Sequence, residues 1–106
     1  GNNLSEIGAY AFSYCSDLRE IKIPQSLETM GDGAFMYCSS LGKVNLPDNF
    51  KSVGYKCFLG CENLKSVNLP KELEVIGKLA FAECRNLEKA EMPKELKEIE
   101  ERAFKK

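Results

Sequence analysis

Apolar side chains recur along this chain in one fixed order, and the order repeats every 23 residues without insertion. Framed on a leading Leu or Phe, the copies run 4–26, 27–49, 50–72 and 73–95, followed by a partial copy at 96–106. Position 1 of the frame holds Leu4, Leu27, Phe50, Leu73 and Leu96. Positions 8 and 9 hold a small residue and then a phenylalanine: Ala11-Phe12, Ala34-Phe35, Cys57-Phe58, Ala80-Phe81 and Ala103-Phe104. Position 12 is cysteine in every complete copy, and position 21 is proline.

Two periods alternate inside one copy. Ile7, Ala11, Cys15 and Leu18 fall at steps of four, four and three, which predicts one face of a short helix with Phe12 beside it. Ile21 and Ile23 then alternate with Glu20 and Lys22, the two-residue period of a short strand buried on one side. Pro24 ends that strand because it brings no N–H to a ladder. Gly8, Gly31, Gly54 and Gly77 precede the helical stretch, where a positive φ would turn the chain. A second strand around positions 1 to 4, as in Leu73–Ile76, is an open alternative to loop. The expectation is therefore an α/β solenoid, with a short helix and one or two short strands per copy. A period of this length marks stacked coils. One coil alone buries too little apolar surface to hold itself, so equivalent residues must stack: Phe12 on Phe35, on Phe58, on Phe81, on Phe104.

The ends differ from the middle. In the last copy Glu100 replaces the glycine, and charged residues from Glu98 to Lys106 predict a polar helix closing that end of the core. No amphipathic cap precedes the first copy, which predicts an exposed or partner-covered end near Leu4, Phe12 and Ile21. That end is a candidate for end-to-end self-association. Gly1-Asn2-Asn3 reads as a trimmed start, so the lack of a signal peptide carries no address.

Composition narrows the chemistry. The 106 residues include 15 basic and 16 acidic side chains, for a net charge of −1. That balance offers no global field for nucleic acid. No apolar run reaches membrane-spanning length, so no membrane insertion is expected. There is no histidine. The commonest general base and metal ligand is thus missing, along with every Ser/His or Cys/His pairing. No phosphate loop or metal cluster appears, and the reading is a non-enzyme without a cofactor.

Five cysteines suggest a metal or redox site until they are placed on the repeat. Cys15, Cys38, Cys61 and Cys84 share one position and form a line, which cannot supply the tetrahedron zinc prefers. They read as small buried thiols packed as hydrophobes. Oxidation of adjacent rungs, such as Cys15 with Cys38, is the alternative. Tyr14 and Tyr37 share position 11 and should stack, with Tyr10, Met36, Tyr55 and Leu59 nearby as an aromatic patch.

The phrase carried by Ile7-Gly8, Ala11-Phe12, Cys15, Leu18, Ile21 and Ile23-Pro24 resembles the BspA-like class of bacterial leucine-rich repeats. It recurs three more times and covers Leu4 to Phe104. The resemblance implies a curved solenoid with a parallel sheet on its concave face. It implies an extracellular or cell-surface bacterial protein that binds host or bacterial proteins in adhesion. In such repeats the outward strand residues form the binding surface. Here these are Glu20, Lys22, Lys43, Asn45, Ser66, Asn68, Lys89 and Glu91. Their partner would be a protein or peptide. The competing reading for the same residues is a solvated sheet face with cross-strand Glu–Lys pairs. At the level of function, the competitor is a structural spacer within a longer surface protein.

Overall fold

The computed structural model describes residues 5–106 and is built from coils that lie in register at the period of the sequence. Every strand is short. Five two-residue strands come from positions 3 and 4: β1 (Glu6–Ile7), β2 (Thr29–Met30), β4 (Ser52–Val53), β6 (Val75–Ile76) and β7 (Glu98–Ile99). β1 pairs with β2, and β4, β6 and β7 form a second parallel set. The strand left open at positions 1 to 4 therefore exists. On another side of the coil, β3 (Lys43–Asn45) pairs in parallel with β5 (Ser66–Asn68), Val44 lying against Val67. Single bridges extend this ladder to Glu20 on one side and Lys89 on the other. After each of these strand segments the proline carbonyl accepts the N–H of position 1 in the next copy, as in Pro47 to Phe50 (3.1 Å) and Pro70 to Leu73 (3.1 Å). The proline thus starts the turn that hands the chain to the following coil.

The helix expected between these strands is replaced by a run of turns. Its amides alternate between two kinds of partner. The N–H of Ala34 donates back three residues to Gly31 (3.2 Å), and that of Cys57 to Gly54 (3.3 Å). The intervening amides donate to the next coil: Phe12 to Ala34 (2.8 Å), Phe35 to Cys57 (2.9 Å), Phe58 to Ala80 (2.8 Å) and Phe81 to Ala103 (2.7 Å). An α-helix is about 10 Å across, whereas strands of adjacent coils stand roughly 4.8 Å apart. Flattened turns keep that short pitch on every side of the coil. The left-handed residues that make the flattening possible sit at positions 7 and 11. They are Tyr10, Tyr14, Tyr37, Lys56, Leu79, Glu83 and Arg102, with φ between 57° and 63°, together with Gly33 and Gly60. Each non-glycine residue held there costs about 1–2 kcal/mol, which the inter-coil bonds and core packing offset.

The position-5 glycines serve a different purpose from the one expected. Positive φ among glycines occurs at Gly33 and Gly60, not at Gly8, Gly31, Gly54 or Gly77. A Cβ on Gly31 would run into the backbone of Ala9, and one on Gly77 would stand 2.9 Å from the Val53 carbonyl oxygen. Gly31 and Gly77 thus let one coil approach the next, whereas a Cβ on Gly54 would make only ordinary contacts and one on Gly8 would meet nothing within 4 Å. Gly33 and Gly60 also leave room for the rings of Tyr10 and Tyr37 from the preceding coil.

The core is a set of columns. The five phenylalanine rings stack at 5.2, 5.5, 5.3 and 5.3 Å, within 8° of parallel. Phe35 and Phe58 are fully buried. Beside the rings runs the thiol column. Cys38 Sγ donates to the Phe12 carbonyl (3.1 Å), Cys61 Sγ to Phe35 (3.2 Å) and Cys84 Sγ to Phe58 (3.1 Å). All five cysteines are free. Cysteine fits here because it fills a small apolar space and still caps a carbonyl of the coil before it.

At both ends of the described stack the column residues are less buried than in the middle. Phe12, Cys15, Leu18 and Ile21 are only partly buried; Leu4 lies outside the described residues. The polar helix expected at Glu98–Lys106 does not form. That segment is β7 and a turn, Ile99 is 49% exposed, and Phe104 stacks on Phe81 without closing the core. A cavity of 220 Å³ opens there among Phe81, Leu87, Ala90, Met92 and Phe104.

Two predictions follow from the columns. Phe58→Ala removes the central ring and should cost about 3–5 kcal/mol in urea unfolding, more than Phe12→Ala at the less buried end. Equal losses at the two sites would contradict the stacking. Burial pushes the thiols of Cys38 and Cys57 up to about 11 and that of Cys84 up to about 12, from an ordinary 9.0, and raises Cys61 as well. Their protonated form is the one the fold holds. The stabilisation is complete below pH 9 and should be lost progressively between about pH 9 and 12, as the unfolded chain ionises first. Native-state thiol titration should find Cys15 reactive and the other four slow, with five free thiols in denaturant.

Candidate functional site

The β3–β5 ladder positions the outward side chains, since strand residues alternate faces. Val44 and Val67 point inward and are buried, leaving Lys43, Asn45 and Asn68 exposed and Ser66 half-buried. Register brings Lys43 opposite Ser66 and Asn45 opposite Asn68. The single bridges then place Glu20 next to Lys43 and Lys89 next to Ser66. Four of the eight expected residues therefore form one row across the coils: Glu20, Lys43, Ser66 and Lys89. Asn45 and Asn68 form the start of a second row. Lys22 and Glu91 fall beyond the bridges and outside the ladder. They still border the surface, Lys22 beside Glu20 and Gln25, and Glu91 beside Lys89.

A shallow cavity of 460 Å³ lies over this ladder. Its rim includes two lysines that the strand pattern did not single out, Lys71 and Lys94. Both occupy position 22, directly after the proline, where the chain turns back toward the sheet. Their shared repeat position was the signal available in the sequence. Leu69, Met92 and Pro93 contribute apolar surface between the polar groups.

Four ion pairs occur among the described residues: Lys51–Glu72 (3.1 Å) at the two ends of one copy, and Lys97–Glu74 (3.5 Å), Arg85–Glu62 (3.7 Å) and Lys78–Glu101 (3.8 Å) between neighbouring copies. All are exposed and contribute little to stability. None involves Glu20, Lys22, Lys43, Lys89 or Glu91. The Glu–Lys pairing that a merely solvated sheet face would show is thus absent among the described residues of this face.

The tyrosine patch lies on the turn side. Tyr14 and Tyr37 stack at 5.2 Å, and Tyr14 is 65% exposed. The Lys56 ammonium sits over the Tyr55 ring at 4.9 Å. Tyr55, and more weakly Tyr10 and Tyr37, hold the Lys56 ammonium above its ordinary pKa. Leu59 is buried and does not belong to the exposed patch. Among the described residues no cluster of three or more His, Cys, Asp or Glu could hold a metal ion, and no helix is long and apolar enough to cross a membrane.

This architecture has counterparts among solved structures. A leucine-rich repeat protein from Bacteroides ovatus ATCC 8483 superposes with a TM-score of 0.87 at 37% identity, over 95% of this chain and 26% of its own. One from Eubacterium ventriosum ATCC 27560 shares the fold with a TM-score of 0.78 at 24% identity, over 92% of this chain and 33% of its own. The T. pallidum leucine-rich repeat protein gives 0.60 at 28% identity, over 82% of this chain and 51% of its own. The chain therefore spans about a quarter of the B. ovatus protein's length. Curated proteins yield no match. The family model described as BspA type Leucine rich repeat region matches residues 1–106 with six copies, and the chain belongs to that family.

Proposed function

We infer that this chain is a non-enzymatic, protein-binding module of the adhesion type, carried by a bacterial surface or secreted protein. Residues 1–106 act as one repeat domain in this reading. Its ligand, a protein or peptide, meets the sheet face at Glu20, Lys22, Lys43, Asn45, Ser66, Asn68, Lys89 and Glu91. The observation that carries the reading is the row Glu20–Lys43–Ser66–Lys89, set in register by the ladder. Its charges have no ion-pair partner among the described residues, whereas Lys51, Lys78 and Lys97 elsewhere in the chain are paired. Charges that a fold leaves unmatched on a fixed scaffold are available to a partner. The turn side, by contrast, already fills its aromatic surface with its own rings and with Lys56.

A spacer role for the same chain rests on a different observation. Every invariant position of the repeat has a packing duty, and the chain spans about a quarter of a longer relative. Capture from host and bacterial surface extracts separates the two. A binding module loses its captured proteins when the eight face residues are scrambled. A spacer recovers the same set with the intact and the scrambled chain.

Self-association through the first coil belongs to the same proposal. Ala11 is exposed and Phe12 half-buried, where Ala34, Phe35, Cys57 and Phe58 are fully buried. Gly8 has open space at its Cβ position, unlike Gly31 and Gly77. The first described coil thus buries its interior-type residues less than the coils after it. Static light scattering should show mass rising with concentration, and Ala11→Glu should return the chain to monomer. A strict monomer at high concentration would defeat this part of the proposal.

A further inference from the structure

We propose that the sheet face takes an acidic, extended peptide segment of a partner protein, lying across the coils with carboxylates three residues apart. This rests on the reading of that face as the binding surface and adds the chemistry of the ligand. Four lysines, Lys43, Lys71, Lys89 and Lys94, line the cavity over the β3–β5 ladder. One carboxylate, that of Glu91, shares the rim. Glu72, next in sequence to Lys71, is drawn away to Lys51 at 3.1 Å. No ion pair joins any of the four lysines to an acid among the described residues. The cavity lining therefore carries a positive balance, with Glu20 beside Lys43 at its edge, although the whole chain carries a net charge of −1.

Geometry narrows the ligand further. Lys43 and Lys89 stand on alternate rungs, with Ser66 between them. Two strand spacings put them roughly 9–10 Å apart. In a polyproline II segment, side chains on one edge recur every three residues, about 9.3 Å apart. An acid at every third position of such a segment matches the two lysines in turn. Such a segment has no internal hydrogen bonds, so its backbone groups are free to meet the amides of Asn45 and Asn68, which lie side by side in the adjoining row. Leu69, Met92 and Pro93 give the residues between the acids an apolar surface to lie on; Met92 is 43% exposed. A nucleic acid or sulfated polysaccharide would use the lysines but leave this apolar floor and the paired amides without a role.

Fluorescence anisotropy with labelled peptides tests the proposal on the intact chain. The probes are three repeats of Glu-Pro-Pro, of Gln-Pro-Pro and of Lys-Pro-Pro. The Glu-Pro-Pro probe should bind saturably and weaken with added salt; the other two should not bind. Binding should fall about tenfold or more in K43E/K89E, and likewise in K71E/K94E, while K78E, whose lysine pairs with Glu101 away from the cavity, leaves it unchanged. All five lysines are exposed, so the variants should keep the thermal unfolding curve of the parent. Equal binding of the Gln-Pro-Pro probe, equal loss in K78E, or heparin binding where the acidic peptide fails would overturn the proposal. Failure of the peptide with loss of captured proteins in the scrambled chain would remove the ligand class and leave the binding face. Failure of both would remove the face as well.

Discussion

The fold depends on one constraint: each coil must present its hydrogen-bonding groups and its apolar side chains at the same height as its neighbours. Parallel pairing and the forward donation of alternate turn amides both act between residues about one repeat apart. The phenylalanine column and the thiol column repeat on the same pitch. No coil contains its own core, so the cooperative unit is the interface between coils. The pitch explains features that look unrelated when taken singly. The helix gives way to flattened turns, glycine appears where backbone meets backbone, and cysteine recurs where a carbonyl needs a small donor.

The same constraint decides what is available for function. Residues that face inward or toward a neighbouring coil have no freedom, because a change in one rung must be accommodated by two others. Outward positions of the strands and of the turns are released from that requirement. On the turn side, much of this freedom is taken up by tyrosines lying on Gly33, on Gly60 and on one another. On the sheet side, Lys43, Lys71, Lys89 and Lys94 are in no ion pair among the described residues. The ladder beneath them matters as much as the charge, since a preorganised surface loses less entropy when a ligand docks.

The stacking was legible in the sequence because its signal is redundant: Phe12, Phe35, Phe58, Phe81 and Phe104 name the same site five times over. The row on the sheet face was legible for the same reason, once Ile21 and Ile23 fixed which residues point outward. The turn region misled because a run of i→i+3 turns shares the three-to-four-residue spacing of an α-helix. What separates them is the sign of φ at positions 7 and 11. Tyr, Lys, Leu, Glu and Arg occupy these sites and give no warning of it. The glycines misled in the opposite sense. Gly31 and Gly77 invite a reading in terms of φ, yet their role is contact between coils. Lys71 and Lys94 escaped notice because a residue after proline reads as part of a turn, and only the three-dimensional return of the chain brings it to the sheet.

The bonding between successive coils also fixes how the molecule answers a mechanical load. Tension applied along the stacking axis passes through every coil junction in series, so the weakest junction yields first and the rest remain intact. Each yielding coil releases 23 residues, roughly 80 Å of extended chain. A tether built this way lengthens in steps under shear while the surfaces on its remaining coils stay presented.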